Sequence, residues 1–269
     1  MVKNKVLLSF DVEEFDLPRE RGGEISLDEG VKVSSDGLLK ILELLKRCEV
    51  KATFFVTGNF AALKPDLVLE ILKDGHEVGC HGVDHFEPRK TDAAESKKIL
   101  EKVIGDKVFG YRQPRMFKID YKDLLDAGYK YDSSVNPAWV PGRYNHRDVP
   151  RKVFVREGVV EVPVSVATKM RVPLFWLSLH LFPISVYLAG AKESLKKTGY
   201  FATYFHPWEF SELLKGYGTV PSYIKLNSGE KMVARLEKVI LRLKKQGCEF
   251  LTYKEYVESD GSMPSLDKS

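Results

Sequence analysis

Short apolar runs that end on polar side chains, separated by helix-forming stretches, constrain this chain more than any other feature. Val6 to Phe10 runs into Asp11, Ala52 to Val56 into Thr57, Glu77 to Cys80 into His81, and Val108 to Tyr111 into Arg112. Tyr129 to Ser133 carries Asp132, Tyr200 to Phe205 ends at His206, and Glu249 to Leu251 closes the series. Near-continuous apolar runs of this length mark parallel strands covered on both faces. Helical periodicity fills the intervals. Leu38, Leu39, Ile41, Leu42 and Leu45 follow a cap at Ser35 or Asp36, Leu67–Lys73 is closed by Asp74-Gly75, and Asp92 opens a helix to about Ile104. A short helix runs from Asp120 to Gly128, Met232 to Leu243 forms a clear stripe, and Thr252 with Glu255 caps a last helix. Such alternation predicts an α/β fold with a parallel sheet or barrel.

At 269 residues and 43% hydrophobic content, one such unit can hold a large core. The expected domain covers residues 1–258, and the polar segment 259–269 is expected to be disordered. Residues 14–34 and 136–151 are expected as loops. Val153–Val155 and Val159–Val162 flank Glu157-Gly158 as an inserted hairpin.

Charge is 30%, mixed in sign, with a net +4 and no basic stripe, which excludes a disordered chain and gives no footprint for nucleic acid. Three cysteines without a CxxC exclude a disulfide framework, and Cys80 reads as core. No apolar leader precedes Lys3-Asn4-Lys5, so the expected location is the cytoplasm. The apolar stretch 172–191 is broken by Ser178, His180, Pro183 and Ser185. It is expected to be a covering helix with exposed aromatics at one end, not a membrane span, with membrane-surface contact the lesser reading.

Asp11, His81, Arg112, Asp132 and His206 all fall at the C-terminal end of a strand, where barrels build their sites. His81-Gly82-Val83-Asp84-His85 places two of the six histidines four positions apart. In one helical turn both rings would face one metal ion. Taken alone, the pattern reads equally well as a polar loop with carbonyl-bonded histidines.

Together these segments resemble a polysaccharide deacetylase of the carbohydrate esterase family 4 type, over nearly the whole chain. The segments that carry the resemblance are Ser9-Phe10-Asp11-Val12-Glu13, His81 to His85, Arg112-Gln113-Pro114-Arg115, Tyr131-Asp132-Ser133-Ser134 and Tyr204-Phe205-His206-Pro207. The resemblance implies a distorted, seven-stranded (β/α) barrel and hydrolysis of an N-acetyl group on an N-acetylated sugar or glycan. It implies Asp11 as general base, His81 and His85 as ligands of a divalent metal, zinc foremost, Arg112 as the cation that keeps Asp11 ionised, and His206 as general acid. Trp208 and Glu209 would pack and orient the His206 ring. Asp132 would tune His206, pair with Arg112, or only bond the turn at Ser133-Ser134.

Two departures stand out. Val12 replaces a metal-binding Asp of the family pattern. Glu13, on the same side of the strand as Asp11, is the expected third ligand. Arg115 replaces the Tyr of the third motif. With Pro114 and Trp208 it is expected to line the substrate site, where its charge would suit an anionic sugar; a plain surface arginine is the other reading. Two other readings stand beside the deacetylase: a metal-independent amidohydrolase acting on a cyclic ureide or imide, and a carbohydrate-binding protein without turnover.

Overall fold

The computed structural model describes residues 4–85, 89, 92–140, 144–146, 148–167 and 171–259. Its strands are β1 (Lys5–Val12), β2 (Thr53–Val56), β3 (Glu77–Cys80), β4 (Gly110–Tyr111), β5 (Tyr131–Asp132), β6 (Trp139–Val140), β7 (Tyr144–Asn145), β8 (Phe154–Arg156), β9 (Val159–Glu161), β10 (Val166–Ala167), β11 (Val172–Pro173), β12 (Tyr200–Phe205) and β13 (Glu249–Leu251). Its helices are α1 (Leu17–Glu20), α2 (Leu27–Cys48), α3 (Gly58–Leu63), α4 (Pro65–Lys73), α5 (Asp92–Ile104), α6 (Tyr121–Asp126), α7 (Trp176–Leu181), α8 (Ile184–Thr198), α9 (Ser222–Lys225), α10 (Glu230–Lys245) and α11 (Tyr253–Ser259).

The main sheet runs β12-β1-β2-β3-β4-β5-β9-β8, with β13 also beside β1. Every pairing is parallel except the β8–β9 hairpin, whose turn uses Glu157 and Gly158 at φ 50° and 85°. The sheet curls into a half-barrel, in line with the distorted barrel that the resemblance implies. Among the described residues β9 and β12 share no ladder, and Ser165 bridges them by donating its N–H to the Ala202 carbonyl (2.9 Å). Phe10 pairs with Phe205, Val12 with Val56, Val56 with Cys80, and Cys80 with Tyr111. That register brings the ends of β1, β2, β3, β4 and β12 to one level, and the site grows from it. Most of the core lies between the sheet and its covering helices, with Phe10, Phe54, Leu38, Ile41, Leu236 and Ile240 fully buried.

Three expectations change. Residues 14–34 are not a loop: α1 forms there and α2 begins at Leu27, well before Ser35. Ser26 and Glu29 make a reciprocal capping box, Glu29 N–H to Ser26 Oγ (3.3 Å) and Ser26 N–H to Glu29 Oε2 (3.0 Å). Gly30 and Gly37 dilute the apolar pattern of this helix because they lie against backbone. A Cβ at Gly30 would stand 2.8 Å from the Phe15 carbonyl oxygen, and one at Gly37 only 1.8 Å from that of Pro207. Within 136–151, Trp139 pairs with Asn145 in a short antiparallel ladder. The segment 172–191 is two helices, not one. Tyr187, Ala191 and Leu195 of α8 are buried, while Leu181, Phe182 and Val186 are exposed at the corner between α7 and α8. No helix among the described residues is long and apolar enough to cross a membrane. Cys48, Cys80 and Cys248 are buried free thiols, as expected. The tail from residue 260 lies outside the described residues.

Candidate active site

Asp11 stands near the end of β1, 3% exposed, and Arg112 follows β4, fully buried. The guanidinium donates from Nη1 to Asp11 Oδ1 (2.7 Å) and Ser9 Oγ (2.9 Å), from Nε to the Ser133 carbonyl (2.9 Å), and from Nη2 to Ser133 Oγ (3.0 Å) and Tyr253 OH (3.2 Å). All five of its N–H groups thereby have acceptors, the condition for burying an arginine. It also lies 4.2 Å from the Phe55 ring centroid. Burial works against a charge on Asp11, but Arg112, with His81 and His206 nearby, overrides it and holds the carboxyl below its usual range.

The histidine pair does not form a helical turn. His81 follows β3 directly, Gly82 takes φ 71°, and the chain doubles back so that His85 stacks on His81, with centroids 5.8 Å apart. The Pro114 ring fills the space beside Gly82, 2.8 Å from where a Cβ would stand. Each imidazole has its Nδ1 committed. His81 Nδ1 meets the Arg112 carbonyl (2.9 Å) and His85 Nδ1 meets Asp16 Oδ2 (3.0 Å). As acceptors, those oxygens place the proton on Nδ1 and leave the Nε2 lone pairs free to coordinate. Both Nε2 atoms converge on Glu13 Oε2, at 3.4 Å from His81 and 3.0 Å from His85.

These three donors lie within 4.8 Å of one another, and Glu13 Oε2 is buried with no hydrogen-bond partner. A tetrahedral zinc with bonds of about 2.0–2.1 Å spaces its donors about 3.3 Å apart, so the set fits a small divalent ion. Burial pushes Glu13 up to about 8 against the pull of His85, the cost that a bound cation would remove. Glu14 lies next to this set in sequence but outside it. It too is buried, accepts from Thr57 Oγ1 (3.0 Å), and is pushed by burial up to about 7.

On the other side of β1, His206 ends β12 and is 9% exposed. Its backbone N–H and its Nδ1 both meet Glu209 Oε1, at 2.6 and 3.1 Å, so Glu209 sets the ring and leaves Nε2 facing outward. The other oxygen of Glu209 meets His180 Nε2 (2.9 Å) from α7. Burial pushes His180 down to about 3, keeping it neutral as a donor to Glu209. Trp208 stacks on His206 and donates its Nε1–H to Glu13 Oε1 (3.2 Å), and Trp176 of α7 stands edge-on to both rings at 5.4 Å.

Four expected site residues have other work. Of the three readings for Asp132, the turn is the one found: it neither meets His206 nor pairs with Arg112 but accepts from the Ser134 N–H (2.9 Å) and Oγ (2.7 Å), and burial raises its pKa. Arg115 is not free for an anionic sugar, because Asp16, Glu20 and the His85 carbonyl hold its guanidinium. Pro114 and Trp208 are buried, and they shape the site from behind. Sequence reasoning missed Asp16, His180 and Trp176 as partners, and Ser9, Ser133 and Tyr253 as the cradle of Arg112. The one local signal was the i, i+3 spacing of His206 and Glu209.

Comparison with known proteins bears on the same elements. Residues 18–131 match the polysaccharide deacetylase family, and residues 133–258 match a family described as a domain of unknown function. A Bacillus cereus peptidoglycan-N-acetylglucosamine deacetylase is 32% identical over 100 residues, covering 34% of this chain and 46% of that protein. A Helicobacter pylori peptidoglycan deacetylase is 31% identical over 126 residues, covering 42% and 43%. The chain spans less than half the length of these curated relatives. Among solved structures, a polysaccharide deacetylase candidate from Mycobacterium smegmatis superposes with a TM-score of 0.65 at 20% identity, over 100% of this chain and 96% of its own.

Proposed function

Because residues 18–131 match the polysaccharide deacetylase family, we propose that this chain is a metal-dependent hydrolase that removes the acetyl group from an N-acetylated sugar or glycan. The observation that carries the reading is one arrangement. Two imidazole Nε2 atoms converge on a buried carboxylate oxygen, Glu13 Oε2, to make a set of three donors, with an ionised carboxylate on one side and a carboxylate-held imidazole on the other. A divalent ion held by Glu13, His81 and His85, zinc in this reading, supplies Lewis acidity toward water and the amide carbonyl.

The remaining steps belong to side chains. Asp11, kept as a carboxylate by Arg112, takes a proton from the attacking water. The water oxygen bonds to the acetyl carbon, the C–N bond breaks, and the electron pair leaves with nitrogen. His206, oriented by Glu209, delivers the proton that lets the amine depart, and acetate is the second product.

Metal-independent ring opening would make no use of the convergence of Glu13 Oε2 with the two imidazole Nε2 atoms. A protein that only bound carbohydrate would need neither the charge held on Asp11 nor the Glu209–His206 pair. The test is metal analysis of protein purified without added metal, with acetate release measured on N-acetylglucosamine oligomers and peptidoglycan fragments. A bound divalent ion and chelator-sensitive acetate release are expected. Acetate release that survives complete metal removal would overturn the reading, as would its absence from every N-acetylated sugar offered to zinc-loaded protein.

A further inference from the structure

Asp16 sits at the N-cap of α1, yet its side chain makes no capping bond. An aspartate in that position ordinarily accepts from the backbone N–H groups of the first turn. Here Asp16 Oδ2 instead meets His85 Nδ1 (3.0 Å) and Arg115 Nη2 (2.9 Å), and the residue is 3% exposed. Arg115 in turn donates from Nε to the His85 carbonyl (3.1 Å) and from Nη1 to Glu20, the last residue of α1. One guanidinium thus grips the His85 backbone, the carboxylate on the His85 ring, and the helix that carries that carboxylate. Arg115 reaches this position from a left-handed backbone at φ 58°, followed by Met116 at φ 52°, a conformation that L-residues rarely adopt. Two segments far apart in sequence, 16–20 and 112–116, are therefore clamped onto one imidazole.

We propose that Asp16 is a positioning residue for the metal ligand His85, and that Arg115 locks it in place. The proposal rests on the metal-site reading above. A carboxylate on the distal nitrogen of a metal-bound imidazole fixes its tautomer and ring plane and raises its basicity, and removal of such a partner typically weakens metal binding about 10- to 100-fold. A mere loop tether would not explain why Asp16 leaves its own helix uncapped while both its partners belong to the His85 segment or act upon it. The same geometry accounts for the arginine at position 115: the position supports the ligand loop, and its charge is spent on Asp16 and Glu20.

The test is metal affinity of the full chain, measured by titrating metal-free protein with zinc against a chromogenic chelator. The visible spectrum of the cobalt(II)-loaded form is recorded in parallel. Asp16→Ala and Arg115→Ala should each weaken zinc binding about 10- to 100-fold and alter the cobalt bands, with unchanged far-ultraviolet circular dichroism in the metal-free state. Arg115→Lys should fall between wild type and Arg115→Ala, because an ammonium can pair with Asp16 but cannot also serve the His85 carbonyl. If Asp16→Ala does not fold, Arg115→Ala decides, since it leaves the carboxylate present but unlocked. Wild-type zinc affinity and cobalt bands in the folded variants would overturn this proposal while leaving the deacetylase reading intact. A wild-type chain that takes up neither ion would overturn both.

Discussion

The imidazole of His206 lies flat on the indole of Trp208, with centroids 4.9 Å apart and planes within 14°, and the same indole donates its N–H to Glu13. One side chain therefore touches the proposed proton donor with its face and the proposed metal ligand with its edge. The two halves of the site share a rigid wall, and their roles separate on mutation.

His206→Ala should cut acetate release by about 10²–10⁴-fold while leaving bound metal near the wild-type level. Trp208→Phe keeps a ring under His206 but removes the N–H from Glu13, so it should weaken metal retention and reduce turnover less than His206→Ala does. Elemental analysis beside initial rates checks both, and a His206→Ala variant with normal turnover rules out the proton-donor role.

The two carboxylates of the first motif should separate in the same way. Asp11→Asn should bind metal and lose turnover, since its oxygen faces Arg112 and not the imidazole Nε2 atoms. Glu13→Ala should lose both metal and turnover. A Glu13→Ala variant that holds a full complement of metal would show that the site closes without it, with Glu14 as the carboxylate to examine.

Gly37→Ala should be among the most damaging single-methyl changes in the chain. The added Cβ would stand 1.8 Å from the Pro207 carbonyl oxygen and 2.6 Å from its carbon, so α2 and the His206–Phe210 turn cannot both stay in place. Overpacking of this kind costs ~1–3 kcal/mol or more. A lower melting temperature with impaired turnover is expected, and wild-type values in both would refute the contact.

Acid stability should depend in part on His76, far from the metal site. Its Nδ1 accepts the Ala52 N–H (3.3 Å), and burial pushes the imidazole down to about 4. Between that value and the ordinary value of 6.5 the unfolded chain binds a proton that the folded chain refuses. Stability therefore rises with pH through this window and is lost as pH falls from 6.5 toward 4. Melting temperatures of chelator-treated wild type and His76→Leu across that range check it. The variant should show the shallower slope, and equal slopes would contradict the assignment.

Strand order along the chain was legible because each apolar run had to be covered on both faces, and β3, β12 and β13 stand where their sequences place them. Asp11, Arg112 and His206 were legible for a related reason: a polar side chain after a buried strand has one place to point. α2 was misjudged because its first turns carry Gly30 and polar residues, and a capping box outweighs a weak stripe. The choice among the readings of Asp132 and Arg115 was not legible, because position along a strand or loop does not reveal which partner captures a long or charged side chain. Asp132 had Ser134 two residues away, and Arg115 had two acids from a segment almost a hundred positions earlier. Trp176 and His180 reach the site from an apolar stretch whose sequence looks like plain covering, and only the packing of α7 across β12 brings them there.

The ladder between β1 and β12 also has a consequence in time. The ribosome delivers the chain at about 5–20 residues per second, so Asp11 and both histidines of the metal set emerge well before the strand that pairs along β1 from Lys5 to Phe10. Until β12 arrives, the nascent chain carries an open, strongly apolar strand edge and lacks the proposed proton donor, His206. Under the proposed mechanism catalysis is silent for most of synthesis, and this is also the interval in which chaperone cover matters most to the protein.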